Sequence, residues 1–288
     1  MNHLKWGKFL LIFISALVLL LLPIFYFQSD SKETGHNETQ TTTASTNEQP
    51  DNTTEENGNN EDGNEKANTT IDPNADYWGV DSASYTTEEL YACVNENFGK
   101  PTVWGRYLGT IDGVSSGLTT EEVEYLHANG VKILLINNQF NNATGYENGV
   151  EQANIGISLA GELNAPEGVA IFADIEPNYP VDSAFIQGWF DTMMGSPYEP
   201  GIYGVFSPDS ALVEAYQVSI NENQEIQNKV ILWTAYPHVD VTTQANAPAN
   251  AAEAPEGSLL YGWQYGIDAA TCNIDTNLFK GSLFDFLW

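Results

Sequence analysis

The chain has 288 residues, with 39 acidic against nine basic side chains and a formal net charge of −30 at pH 7. That length holds one large domain or two small ones, and the charge argues against nucleic acid as a partner, since a polyanion calls for a basic face. Two cysteines and four scattered histidines (His3, His36, His127, His238) offer no metal-ligand spacing, so neither a metal nor a cofactor is called for.

From Phe9 to Phe27 runs a nearly unbroken apolar stretch, FLLIFISALVLLLLPIFYF. As a helix it would span about 29 Å, the thickness of a bilayer's hydrocarbon core. Lys5 and Lys8 precede it and acids dominate after it, which orients the N-terminus to the cytoplasm and the rest outside. A cleaved signal peptide is the competing reading. Signal h-regions are shorter, and the bulky FYFQSDSK that follows lacks a small-x-small cleavage site, so a single-pass signal anchor is expected. Residues 28–76 are rich in Thr, Asn and Glu and poor in large apolar side chains. Such a segment cannot bury enough surface to offset its ordering entropy, and a disordered acidic linker is expected. Residues 77–288 are long enough for a sizeable core and carry five of the basic residues against 27 of the acids.

Within that region strand-like and helix-like segments alternate. WGVDSAS (78–84) reads as a strand ending near Asp81. Thr86-Thr87-Glu88-Glu89 then has capping-box spacing and opens a helix with Leu90, Cys93, Val94 and Phe98 on one face. TVWGRYLG (102–109) is a second strand, and Thr119 to Glu122 repeats the cap before Val123, Leu126 and a Gly130 stop. KILLINNQ (132–139) suits a buried parallel strand, and Val150, Ala153, Ile157, Ala160 and Leu163 form the next helical stripe. GVAIFADIEP is strand four, and Phe185, Ile186, Trp189, Phe190 and Met193 mark the helix after it. GIYGVF (201–206) is strand five, with Ser207-Pro208 read as an N-cap and first helical residue. KVILWTAYP (229–237), LLYGWQYGI (259–267) and CNIDTNLF (272–279) complete eight strands, and the Ala/Asn/Pro-rich loop before the seventh is too poor in large apolar residues to pack as a helix. The pattern predicts an α/β fold, a (β/α)8 TIM-type barrel with an irregular closing half; an open doubly wound sheet ranks below it.

In that register Asp81, Asp174, Glu176 and Asp275 fall at C-terminal strand ends, on the face where such folds build their sites. Asp174 and Glu176, at i and i+2, share one strand face about 6–7 Å apart. Two acids forced together compete for a proton, so one pKa rises, as a general acid working near neutral pH requires. A solvated strand end is the bland alternative. Tyr107, Tyr203, Trp233 and Trp263, with Gln264, could give a sugar its flat faces and hydrogen-bonding tips, although core packing is the commoner role for any one of them. Arg106 is expected to hold an interior carboxylate rather than a ligand. Cys93 and Cys272 could pair across a closed barrel or remain buried thiols.

The motifs WGVDSAS, FADIEP, ILWTAYP, GWQYG and NIDTNLF, in this order, resemble glycoside hydrolase family 25, the lysozyme-like muramidases. The middle region, from GRYLG through YENGVEQANIGISLAGELNAPEGVAIF, is still more similar to the bacterial glycoside-hydrolase-like domains of unknown function. The resemblance implies a glycosidase acting on peptidoglycan or a related amino-sugar polymer by retaining, substrate-assisted chemistry. It implies Glu176 as general acid/base and Asp174 as the group that orients or stabilises an attacking N-acetyl oxygen. Asp81 and Asp275 would complete the acidic floor. The alternative is a catalytically weak barrel that binds wall glycan and localises other machinery.

Overall fold

The computed structural model describes residues 71–288. The membrane helix expected at Phe9–Phe27 and nearly all of the linker lie outside them. Among the described residues no helix is long and apolar enough to cross a membrane.

Eight strands close into a barrel in chain order: β1 (Asp76–Ser82), β2 (Val103–Tyr107), β3 (Lys132–Asn137), β4 (Ala170–Ile175), β5 (Glu199–Gly204), β6 (Ile231–Thr234), β7 (Leu259–Gly266) and β8 (Asp275–Lys280). β1 to β7 run parallel, and β8 is antiparallel to both β7 and β1. This corrects the sequence reading of Asp275. It opens β8 rather than closing it, and the reversed strand brings its first residue to the rim where the other strands end.

Six helices pack outside: α1 (Glu88–Asn97), α2 (Thr120–Ala128), α3 (Tyr146–Glu162), α4 (Ser183–Met194), α5 (Ala211–Glu222) and α6 (Gln224–Lys229). Thr87, Thr119, Asp182, Ser210 and Asn223 each accept a backbone N–H in the first turn of the helix they precede. α5 is therefore capped by Ser210, and Ser207-Pro208 belongs to the preceding turn. Neither predicted capping box closes: the first helix is capped by Thr87 rather than Thr86, which puts Leu90 where the box needs an acid, and the second is only half formed. Glu122 sits in the right place to reach back to Thr119 but turns instead to Arg106.

α3 and α4 approach so closely that a Cβ on Gly149 or Gly188 would strike the other helix's backbone. No full helix follows β6 or β7. The predicted irregular loop instead runs down the outside of the closing strands, bonding Tyr265 O through Val239 N–H, Phe98 O through Gln244 N–H, and Asp76 through Asn250. A disulfide joins Cys93 on α1 to Cys272 in the β7–β8 loop.

Side chains alternate across the wall as the strand period demands. Outward faces supply Trp104, Leu135, Ile171, Ile202 and Leu232 to the layer beneath the helices. Inward faces supply Val103, Leu134, Ile136, Phe172, Ile231, Trp233 and Phe279, and Leu283 and Leu287 of the C-terminal segment close the floor. Gly262 leaves room for the indole of Trp233, which a Cβ there would meet at 2.7 Å. The barrel below its mouth is thus a packed core, and only the top inward layer is free to be polar.

Candidate active site

That top layer holds the four predicted acids. Asp81 is the inward residue at the end of β1, and Gly105 on β2 lets it lie close, since a Cβ there would sit 2.7 Å from the Asp81 Cβ. Asp275 is its register partner on β8. Asp174 ends the inward face of β4 beside Tyr203 on β5, and Glu176 follows two residues on.

Asp81 is 4% exposed and accepts only from amide groups. Asn277 Nδ2 donates to its Oδ2 at 2.7 Å, and Gln264 Nε2 donates to Oδ2 at 3.0 Å and Oδ1 at 3.3 Å. Each donor is itself held. Trp233 Nε1 donates to Asn277 Oδ1 at 2.9 Å, and the Tyr203 hydroxyl donates to Gln264 Oε1 at 2.7 Å. Gln264 also reaches Asp275 Oδ2 at 3.3 Å, while the Asp268 N–H donates to Asp275 Oδ1 at 2.7 Å. Burial raises the Asp81 pKa above the usual carboxylate range, and the two amides and the nearby Arg106 charge offset only part of that rise. Because those partners all donate to it, the network favours Asp81 as an anion against its burial.

The others feel that anion. Asp275 is pushed up to about 8, first by burial and then by Asp81. Glu176, half-buried and open to the mouth, is raised by burial and by Asp81. Asp174 is raised further, by burial, then by the neighbouring Glu176 and Asp81 carboxyls. Its Oδ1 is buried without a partner. Burial and the neighbouring carboxyls therefore favour the protonated form of Asp174 more strongly than that of Glu176. Tyr107 lies on the inward face of β2 two residues beyond Gly105, and burial, then all four carboxyls, push its phenol well above its usual range.

Among the predicted sugar contacts, Tyr107, Tyr203 and Gln264 belong to this layer. Trp233 lies fully buried beneath it, its ring 4.4 Å from that of Tyr203. Trp263 does not join them. It faces outward from β7 beside Gln264, is 0% exposed, and donates its indole N–H to Pro237 O. Arg106 takes the expected ion-pair role on the outer face of β2. It bonds Glu122 at 2.6 Å, Ser82 O at 2.6 Å and Ser116 O at 2.9 Å. Sequence reasoning passed over Asn277, two residues after Asp275 on the same strand face. It also passed over Asn138, two beyond Ile136, which is buried and donates to Ser115 Oγ at 2.9 Å. The period of two was the signal for both.

Eight strands closing on a layer of interacting carboxyls define a glycoside-hydrolase-like barrel. The chain belongs to the Rv2525c-like, glycoside hydrolase-like domain family, which matches residues 100–275. An uncharacterized protein of B. stearothermophilus is 37% identical, with a TM-score of 0.72, over 74% of this chain and 100% of that one. The Mycobacterium tuberculosis Tat-secreted protein Rv2525c is 13% identical over 70% of this chain and 95% of that one, with a TM-score of 0.47. A muramidase from Acremonium alcalophilum is 18% identical over 73% and 99%, with a TM-score of 0.45. No curated protein sequence matches the chain.

Proposed function

We propose that the domain is a retaining glycosidase for peptidoglycan or a related amino-sugar polymer, held outside the cell by the N-terminal apolar segment. The observation that carries this reading is the Asp174–Glu176 pair, with one carboxyl open to the mouth and the other buried with an unpartnered acceptor oxygen. An acetamido N–H is the donor that such an oxygen lacks. As Asp174 accepts it, the proton favoured there passes to Glu176, which then protonates the glycosidic oxygen. The acetamido oxygen attacks the anomeric carbon, the leaving sugar departs with the proton, and Asp174 faces the positive charge that develops. Glu176, now a carboxylate, takes a proton from the water that opens the intermediate, so configuration is retained. Asp81 keeps the electrostatic balance, and Tyr203 and Gln264 present polar tips to the sugar. Trp233 supports them from below.

Reducing-end release from cell-wall glycan by the wild type and by Glu176→Gln tests this. Equal release by both proteins removes the assignment. A second reading, a glycan-binding barrel with little turnover, draws on burial favouring a proton on Asp174 more strongly than on Glu176, the group that would have to act as the acid. Binding of the glycan without release by the wild type would favour it.

A further inference from the structure

Charge is sorted along the barrel axis. Of the five basic residues in the described region with formal charge, Lys132 opens β3, Lys100 and Lys229 precede β2 and β6, and Lys280 ends the reversed β8 paired to Asp76 at 2.8 Å. All four lysines lie at the closed end. Arg106 is buried and engaged by Glu122. Apart from His238, the mouth among the described residues is acidic, with Asp268 exposed on its lip beside the four inward carboxyls. Asp81, Asp268 and Asp275 line a hollow of about 130 Å³, together with Ser82, Ala83 and Asn273.

A glycan bearing carboxylates or phosphates finds no counter-charge here, and burying it beside Asp81 and Asp268 sets like charges together. A glycan bearing a free ammonium finds the exposed Asp268 carboxylate and, beside it, the Asp275 carboxyl as a hydrogen-bond acceptor. Asp268 is free to turn toward it, and Asp275 is fixed from both sides by the Asp268 N–H and Gln264. The unpartnered Asp174 oxygen across the mouth separately asks for a donor from the ligand.

Resting on the glycosidase reading, we propose that the site prefers a partly N-deacetylated amino-sugar polymer. One hexosamine ammonium sits between Asp268 and Asp275, while an acetylated sugar occupies the Asp174–Glu176 position. The exposed Ile267, next to Asp268, gives the cationic sugar an apolar edge to lie against.

Calorimetry on the full chain in neutral detergent, at pH 6 and low salt, tests this with two probes. One is a β-1,4-linked N-acetylglucosamine hexamer, and the other is the same hexamer with half its amines free. The amine-bearing hexamer should bind about tenfold tighter, the order expected of one half-buried charge pair. The preference should fall to about threefold or less in 300 mM salt and in Asp268→Asn. Equal or weaker binding of the amine-bearing hexamer overturns the proposal and leaves the glycosidase reading standing. Tetralysine binding as tightly, with the same loss in Asp268→Asn, also overturns it, since bulk charge would then suffice. Failure of both hexamers to bind removes the glycan reading and this proposal with it.

Discussion

Two buried polar networks lie on opposite faces of the barrel wall, and they are built on opposite principles. On the outer face Arg106 and Glu122 cancel each other, and four of the five guanidinium N–H groups find acceptors in the pair, Ser82 O and Ser116 O. Glu122 also accepts the Thr86 N–H at 2.8 Å, so the pair ties α2 and the β1–α1 loop to the sheet. On the inner face four carboxyls crowd together with amides and phenols and no cation among them. Burying balanced charge stabilises a fold only if every partner is present, whereas burying unbalanced charge costs stability and sets up chemistry. The first arrangement positions the wall; the second is poised to exchange protons and to receive a ligand.

The largest effects separate the two networks by what each change damages. Glu176→Gln should lower glycan hydrolysis by about 10²–10⁴-fold while the melting temperature holds or rises, because a half-buried repelled carboxyl is lost. Glu122→Gln should do the reverse. It leaves the buried guanidinium without its counter-charge and should cost about 3–5 kcal/mol in denaturant unfolding. Were Glu122→Gln neutral for stability, the outer pair would not be the structural element described.

Removal of the disulfide comes next. Cys93→Ser with Cys272→Ser opens a loop of 179 residues in the unfolded chain's connectivity, which chain-entropy arguments value at up to about 5 kcal/mol. It also frees the loop whose Asp268 N–H steadies Asp275, so thermal stability should fall and activity should fall with it. A melt unchanged by both serines would show that packing alone holds that loop.

Much of this architecture was legible in the residues. Asp174 and Glu176 on one strand face, the threonine caps and the uncovered closing strands all follow from periodicity and turn chemistry. Strand direction does not, because CNIDTNLF alternates equally well read either way; only the barrel's closure decides that β8 runs backwards. Trp263 and Gln264 are adjacent, so they cannot share a face, and register irregularities flanking β7 hide which one turns inward. Glu122 looked like a local capping partner because its true partner, Arg106, is 16 residues away and meets it only in the folded wall. Local signals specify elements; long-range electrostatics reassign individual side chains.

The smallest expected effect sharpens the contrast through pH. Asp275 titrates near 8 in the fold against about 3.8 for an ordinary aspartate, so ionising it is harder folded than unfolded. Its protonated form therefore contributes stability that is fully present below the unfolded value and is lost as pH rises through the folded one. The wild type should accordingly melt higher at pH 5 than at pH 8.5. Asp275→Asn keeps an acceptor for the Asp268 N–H but removes the titration. Relative to wild type it should be nearly neutral at pH 5 and gain about 1–2 kcal/mol, or roughly 3–6 °C, at pH 8.5. A difference between the two proteins that does not change with pH would mean that the mouth's charge is compensated after all, and the distinction between the inner and outer networks would collapse.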